Sequence, residues 1–134
     1  MATDHADQLE VASSEDVVRV RQRVREAAVS LGFSIVDQTK IVTAASELAR
    51  NTYTYAGGGR FRLDVLSNGR RNGLRLVFED DGPGIPDIEK ALRDGFTTGN
   101  GLGMGLGGAR RLVNEFEIDS RPGEGTRVTA VRWA

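Results

Sequence analysis

Apolar and polar positions divide the chain into alternating extended and helical stretches. A short strand is expected over Gln8 to Ala12, followed by a helix that Ser14 caps and that Glu15 and Asp16 open with favourable negative charge. Gly32 ends that helix. Ser34 caps a second one, on which Ile41, Ala45, Leu48, Thr52 and Tyr55 fall on one stripe at helical spacing, and AGGG, Ala56 to Gly59, stops it. Two alternating runs follow, RFRLDVL and LRLVFED, and the intervening SNGRRNG carries two Asn-Gly turn signals, so the runs are read as a hairpin. Pro86 and Asp87 open a short helix, PDIEKALRDG; a glycine-rich stretch leads into another helix from about Met104 to Phe116. Two strands finish the pattern, roughly Glu117 to Ser120 and Thr126 to Trp133, turned by RPGEG. This order predicts an α/β two-layer sandwich, a mixed β-sheet covered on one face by helices, forming a single domain over residues 1–134 with 1–7 as a flexible tail.

With 134 residues, one domain can bury a core without staples. Cysteine is absent, which removes disulfides and thiolate metal sites, and the single histidine, His5, lies in the polar tail; a Ser-His-Asp or zinc enzyme is not expected. A formal net charge of -1 gives no general attraction to nucleic acid or to an anionic membrane. The first residues lack the basic and apolar regions of a signal peptide, and no apolar run reaches membrane-spanning length. A soluble cytoplasmic protein with neither nucleic-acid nor membrane partners is expected.

Among 18 basic residues only Lys40 and Lys90 are lysines, and VRVRQRVRE concentrates Arg19, Arg21, Arg23 and Arg25 on the first helix. Helical spacing puts Arg19 with Arg23 on one face and Arg21 with Arg25 on another. They are either a solvated surface balanced by Glu15, Asp16 and Glu26, or one pair of them contacts the carboxylates of a regulatory partner.

The chemistry concentrates around glycine. Gly99 to Gly108 holds six glycines immediately before a helix, a poor helix start unless the chain needs positive φ or a ligand approaches its amides. The sequence contains no Gly-Lys pair and hence no Walker A loop. Gly103, Gly105 and Gly108 form a GxGxxG, but no strand precedes it and too little chain follows for a dinucleotide-binding unit. What remains is either a flexible loop or a phosphate-binding loop feeding a helix N-terminus.

Two further groups bear on that choice. In ELARN, Glu47 and Asn51 stand one turn apart on the second helix and border its apolar stripe, where they form either a solvated polar pair or a base beside a metal ligand. In EDDGPGI, alternation continues Leu74, Leu76 and Phe78 with Asp80 on the buried side, while Asp81 points away. Asp80 either caps the Gly82-Pro83-Gly84 turn or accepts a hydrogen bond from the amine of an adenine ring.

Together these pieces resemble the Bergerat ATP-binding fold of gyrase, Hsp90, histidine kinases and MutL. Glu47 and Asn51 look like its N box, Asp80 to Gly84 like its DxGxG box, and Gly101-Leu102-Gly103-Met104-Gly105 like its second glycine box. More narrowly, ELARNTYTYAGGG, DDGPGIPDIEKALRDGFTTGNGLGMGLGGARRL and FEIDS resemble the RsbT-type switch kinases of the anti-sigma regulatory family, from about Leu9 to the C-terminus.

That resemblance implies an ATP- and Mg2+-dependent serine/threonine-protein kinase of a stressosome. It would phosphorylate STAS-domain proteins and, once released, activate a PP2C-type phosphatase. Glu47 would be the base or orienting group, Asn51 would hold magnesium against the phosphates, and Asp80 would read adenine. Gly82, Gly84 and Ile85 would shape the base pocket, with Thr126 nearby. Thr98, Gly101, Leu102, Gly103, Met104 and Gly105 would surround the phosphates, and residues 96–102 would form a nucleotide lid. Competing readings are an anti-sigma factor that binds a sigma subunit directly and a non-catalytic ATP-gated adaptor.

Overall fold

Elements form where the apolar pattern expects them, with boundaries set by hydrogen bonds that the pattern does not contain. A computed structural model describes residues 6–85, 92 and 105–134. Among these, the order is β1 (Ala6–Val11), α1 (Ser14–Ser30), α2 (Ile35–Ala56), β2 (Gly59–Ser67), β3 (Asn72–Asp80), α3 (Gly105–Arg111), β4 (Glu115–Arg121) and β5 (Gly125–Trp133). β1 reaches back to Ala6, into the stretch expected as a tail. Of the expected helix at Pro86 only Leu92 is described, and it is helical; its other residues and His5 lie outside the described residues.

Ser13, not Ser14, caps α1. Its extended backbone lets Oγ accept the Asp16 N–H at 3.3 Å, while the Asp16 carboxylate accepts the Ala12 N–H at 2.9 Å. This Ser-x-x-acid pairing works only from position 13; a cap at Ser14 would put Val17, which belongs to the core, in the acid's place. The Ala12 N–H bond is also the main reason that the Asp16 carboxyl is held below the usual carboxylate range. Ser34 caps α2 as expected, accepting the Asp37 N–H, and Gly57 ends it in the left-handed conformation at φ 77°.

α1 buries Val17, Val20, Val24 and Ala28, and α2 buries Ile41, Ala45, Leu48 and Thr52 of its expected stripe. Tyr55 departs from that stripe and is 41% exposed: the loop after β3 closes on the neighbouring Ala56 instead, leaving the phenol at the surface. The helices pack against each other and against one face of a five-stranded sheet, whose row Phe61, Phe78, Val128 and Ile118 lies beneath them. The two aromatic rings stand 4.9 Å apart.

The strand order is β1-β2-β3-β5-β4, and all four pairings are antiparallel. The sheet was expected to be mixed. β3 and β4 do run parallel, joined by the crossover that contains α3, but β5 lies between them, so no parallel pair shares hydrogen bonds among the described residues.

α3 stops at Arg111 rather than Phe116 because β5 captures the chain there. Asn114 N–H donates to the Val131 carbonyl, Asn114 Oδ1 accepts the Trp133 N–H, and Arg132 Nη1 takes the Leu112 carbonyl at 2.9 Å. Phe116 is therefore a strand residue opposite Ala130. Arg132 also pairs through Nη2 with Asp37 at 2.5 Å, tying the first turn of α2 to the end of α3, and this bond is the largest cause holding the Asp37 carboxyl low.

The sheet face away from the helices is covered by its own side chains. Asp64, 2% exposed, accepts from Arg75 Nη2 at 2.7 Å and from Arg62 at 3.3 Å, and Arg127 pairs with Glu79 at 3.0 Å. Among the described residues, no helix is long and apolar enough to cross a membrane.

Candidate functional site

The α2 turn that carries the ELARN motif packs onto the far end of β3. Thr52, next to Asn51, is buried with its hydroxyl bonded to the Leu48 carbonyl, and its Cγ2 stands where a side chain on Gly59 would be. Asp80 Cβ borders the same spot. The helix that presents Glu47 and Asn51 is thereby placed against the strand end that presents Asp80.

Glu47 and Asn51 are both half-buried, as expected for positions bordering the core. Glu47 Oε2 accepts from Arg50 Nη1 at 3.1 Å. An ion pair this exposed contributes only about 0.2–1 kcal/mol, so the carboxylate can exchange Arg50 for another donor without much loss. α3, opened by Gly105, packs alongside α2.

Asp80 serves the turn, and does so with only one oxygen. Oδ1 accepts the Gly82 N–H at 2.9 Å, whereas Oδ2 has no hydrogen-bond donor among the described residues. Gly82 permits this geometry because a Cβ there would lie 2.8 Å from Ala56 Cβ and 3.0 Å from Ala56 Cα. Gly84, at φ 80°, abuts the Arg121 carbonyl so closely that a Cβ would stand 2.3 Å from it. The two glycines thus position the loop by close backbone approach.

Across the sheet, Asp80, Thr126 and Ser120 form one row on the helix-covered face. Ser120 Oγ accepts the Ile85 N–H at 2.7 Å and shares a hydrogen bond of 2.8 Å with Thr126 Oγ1. Ser120, Gly59 and Gly125 were not recognised as site residues in the sequence. The first is legible only once the β4–β5 register sets it opposite Thr126; the glycines matter because side chains would collide with the Glu79 and Asp80 carbonyls. Thr98, Gly101, Leu102, Gly103 and Met104, with the expected lid over 96–102, lie outside the described residues.

The four arginines of α1 differ in their partners. Arg19 pairs with Asp16 and Arg23 is also engaged, whereas Arg21 and Arg25 are exposed and make no ion pair among the described residues.

Residues 36–133 match the family described as histidine kinase-, DNA gyrase B-, and HSP90-like ATPase. The chain belongs to that ATP-binding family and, within it, to the group of the serine/threonine-protein kinase RsbT. The RsbT of Bacillus subtilis (strain 168) is 50% identical over 118 residues, covering 88% of this chain and 89% of the relative. The anti-sigma F factor of Thermoanaerobacter sp. (strain X514) is 28% identical over 129 residues, covering 92% and 89%. Solved structures with the same fold include the RsbU and RsbW domains of a Mycobacterium tuberculosis protein, with a TM-score of 0.63 at 22% identity, covering 94% of this chain and 32% of that one. The catalytic domain of histidine kinase ThkA gives 0.53 at 19% identity, covering 94% and 95%. The kinase class and the use of ATP follow from this membership, as does a place among partner-switching regulators.

Proposed function

We propose that the chain is a cytoplasmic, magnesium-dependent switch kinase of a stressosome, which transfers the γ-phosphoryl group of ATP to serine or threonine on STAS-domain proteins and, once released from them, activates a PP2C-type phosphatase. The observation that carries the reading is Asp80. One carboxylate oxygen is fixed by Gly82 N–H and the other has no donor among the described residues, at the sheet end beneath the helix that bears Glu47 and Asn51. That free oxygen suits the exocyclic amine of adenine.

The remaining roles follow from side-chain chemistry. Glu47 leaves Arg50, accepts the proton of the attacking hydroxyl and aligns it with the γ-phosphorus; the oxygen–phosphorus bond to ADP breaks as the new ester forms. Asn51 would offer its carboxamide oxygen to a magnesium ion. No group of three or more His, Cys, Asp or Glu that could hold a metal occurs among the described residues, which fits an ion held mainly by phosphates and water with one protein ligand. Magnesium would supply neutralisation of phosphate charge. The glycines from Gly101 to Gly105 would present amides to the phosphates, with Thr98, Leu102 and Met104 around them, and Ile85 and Thr126 would complete the base pocket. One arginine pair of α1, Arg21 with Arg25, is the better candidate for the regulatory partners because Arg19 and Arg23 are already engaged.

The test is transfer of radiolabelled phosphate from ATP to candidate STAS proteins, with sigma subunits from the same source assayed for binding in parallel. Label on a STAS serine or threonine, lost with Glu47→Ala, is the expected result. Tight sigma binding without transfer would favour the anti-sigma reading, and phosphatase activation without transfer the adaptor reading.

A further inference from the structure

The SNGRRNG segment is not used by the nucleotide site. It forms the tip of the β2–β3 hairpin, at the opposite end of β3 from Asp80, roughly 26 Å away for a strand of this length. Its turn is tightly built. Asn68 Oδ1 accepts the backbone N–H groups of both Arg70, at 2.9 Å, and Arg71, at 2.8 Å, Asn68 N–H donates to the Arg71 carbonyl, and Ser67 Oγ accepts the Gly69 N–H. The second Asn-Gly pair is not a turn but the start of β3, where Gly73 lies opposite Trp133. A Cβ on Gly73 would come within 2.6 Å of the indole, so the missing side chain is what lets the ring lie against the strand. Trp133 Nε1 is held by Glu115 Oε2 at 3.2 Å.

The result is a cleft of about 530 Å³ lined by Asn68, Arg70, Arg71 and Trp133. Both arginines are exposed, and neither makes an ion pair among the described residues. A fixed loop thus presents two adjacent like charges to solvent beside a pinned aromatic ring, with neither paired to a carboxylate among the described residues. We propose that this hairpin tip and Trp133 form a docking surface for an acidic segment of a protein partner, whose carboxylates meet the two guanidinium forks and whose apolar or aromatic side chain packs on the indole.

The chemistry favours carboxylates over phosphates. The loop amides that would wrap a phosphate are consumed by Asn68 and Ser67, and the indole N–H is consumed by Glu115. Two cations on a chain of net charge -1 do not make the basic stripe that a nucleic acid needs. The identity of the partner as the STAS protein or the phosphatase rests on the partner-switching reading; the surface itself does not.

Trp133 is the single tryptophan of the chain, so its emission reports on this site directly. The full-length protein is titrated with the peptide acetyl-EEFDEE-amide, its neutral analogue acetyl-QQFNQQ-amide, ATP and oligothymidylate. A saturable emission change is expected with the acidic peptide alone, weakened at least ~10-fold by Arg70→Ala/Arg71→Ala and by high salt. The alanines leave the backbone bonds of the turn in place, and an unchanged melting temperature verifies the fold. No saturable response, a response that the double variant retains, an equal response to the neutral peptide, or an arginine-dependent response to ATP or oligothymidylate would each overturn the proposal. Affinity of the same variant for STAS protein and phosphatase separates the two claims: a peptide response lost on substitution, with both partners bound normally, keeps the acidic-segment surface and removes its assignment to partner switching.

Discussion

Replacing Gly82 by alanine asks whether the approach of the β3–loop corner to α2 positions Asp80 for its ligand. The new methyl would sit 2.8 Å from Ala56 Cβ, 3.0 Å from Ala56 Cα and 3.1 Å from Asp80 Oδ1. Two of these atoms belong to the last residue of α2 and the third to the carboxylate, so the loop must retreat from the helix and the Asp80 bond to Gly82 N–H must open. Overpacking of this kind costs about 1–3 kcal/mol. For a domain of this size that lowers the melting temperature by about 4 °C for each kcal/mol. A charge-assisted hydrogen bond to adenine is worth about 1.5–3 kcal/mol, so displacing Asp80 should weaken ATP roughly 10- to 100-fold. The assay is isothermal calorimetry with ATP, run beside thermal melts. Gly32→Ala supplies the control: at φ 81° with nothing within 4 Å of its Cβ, it strains the backbone after α1 by about 1–3 kcal/mol without touching the Asp80 loop. It should lose stability and keep its ATP affinity. Ala56→Gly added to Gly82→Ala removes the closest contact and should recover part of the affinity. Wild-type affinity in folded Gly82→Ala would refute the positioning argument.

Asp80→Asn should abolish detectable ATP binding in a folded protein, because the carboxamide oxygen will stay on Gly82 N–H and turn its NH2 toward the adenine amine; calorimetry showing near-wild-type affinity would exclude the adenine role. Glu47→Ala should bind nucleotide and STAS partner but lose phosphotransfer at least ~100-fold, whereas Asn51→Ala should weaken magnesium-dependent ATP binding, both read by initial rates and titration. Charge reversal of Arg21 and Arg25 should abolish partner pull-down with ATP binding retained, and reversal of Arg19 and Arg23 should not; normal binding by both double variants would leave these arginines as a solvated face. The Asp37 carboxyl is held low chiefly by the Arg132 hydrogen bond, so its stabilisation is present above its unfolded value of about 4 and is lost as pH falls through the lower folded value. Urea melts from pH 7 down to about pH 3 should show Asp37→Asn less stable at neutral pH and with a flatter acid limb.

What the sequence made legible is whatever local periodicity encodes. The cap at Ser34, the stop at Gly57, the hairpin and the buried phase of Asp80 each follow from residues within a few positions of one another. What it hid depends on distant partners. Phe116 reads as a helix end until β5 claims Asn114 and Arg132 takes the Leu112 carbonyl. Ser120 looks like an ordinary strand serine until the register places it between Ile85 and Thr126. Gly59 and Gly125 read only as a helix stop and a turn residue because their further role is to admit another strand's carbonyl, a requirement visible only with both strands in place.

The position of β5 also governs when the proposed nucleotide site can form. It follows β4 in the chain yet sits between β3 and β4, and it supplies Thr126 opposite Asp80. During synthesis on a ribosome, the hairpin of β2 and β3 and the two long helices can assemble early, but the row of Asp80, Thr126 and Ser120 stays open until the final strand is released and inserted. Until β5 is inserted the row lacks Thr126 opposite Asp80, and the edge of β3 stays exposed to stray pairing for the same interval.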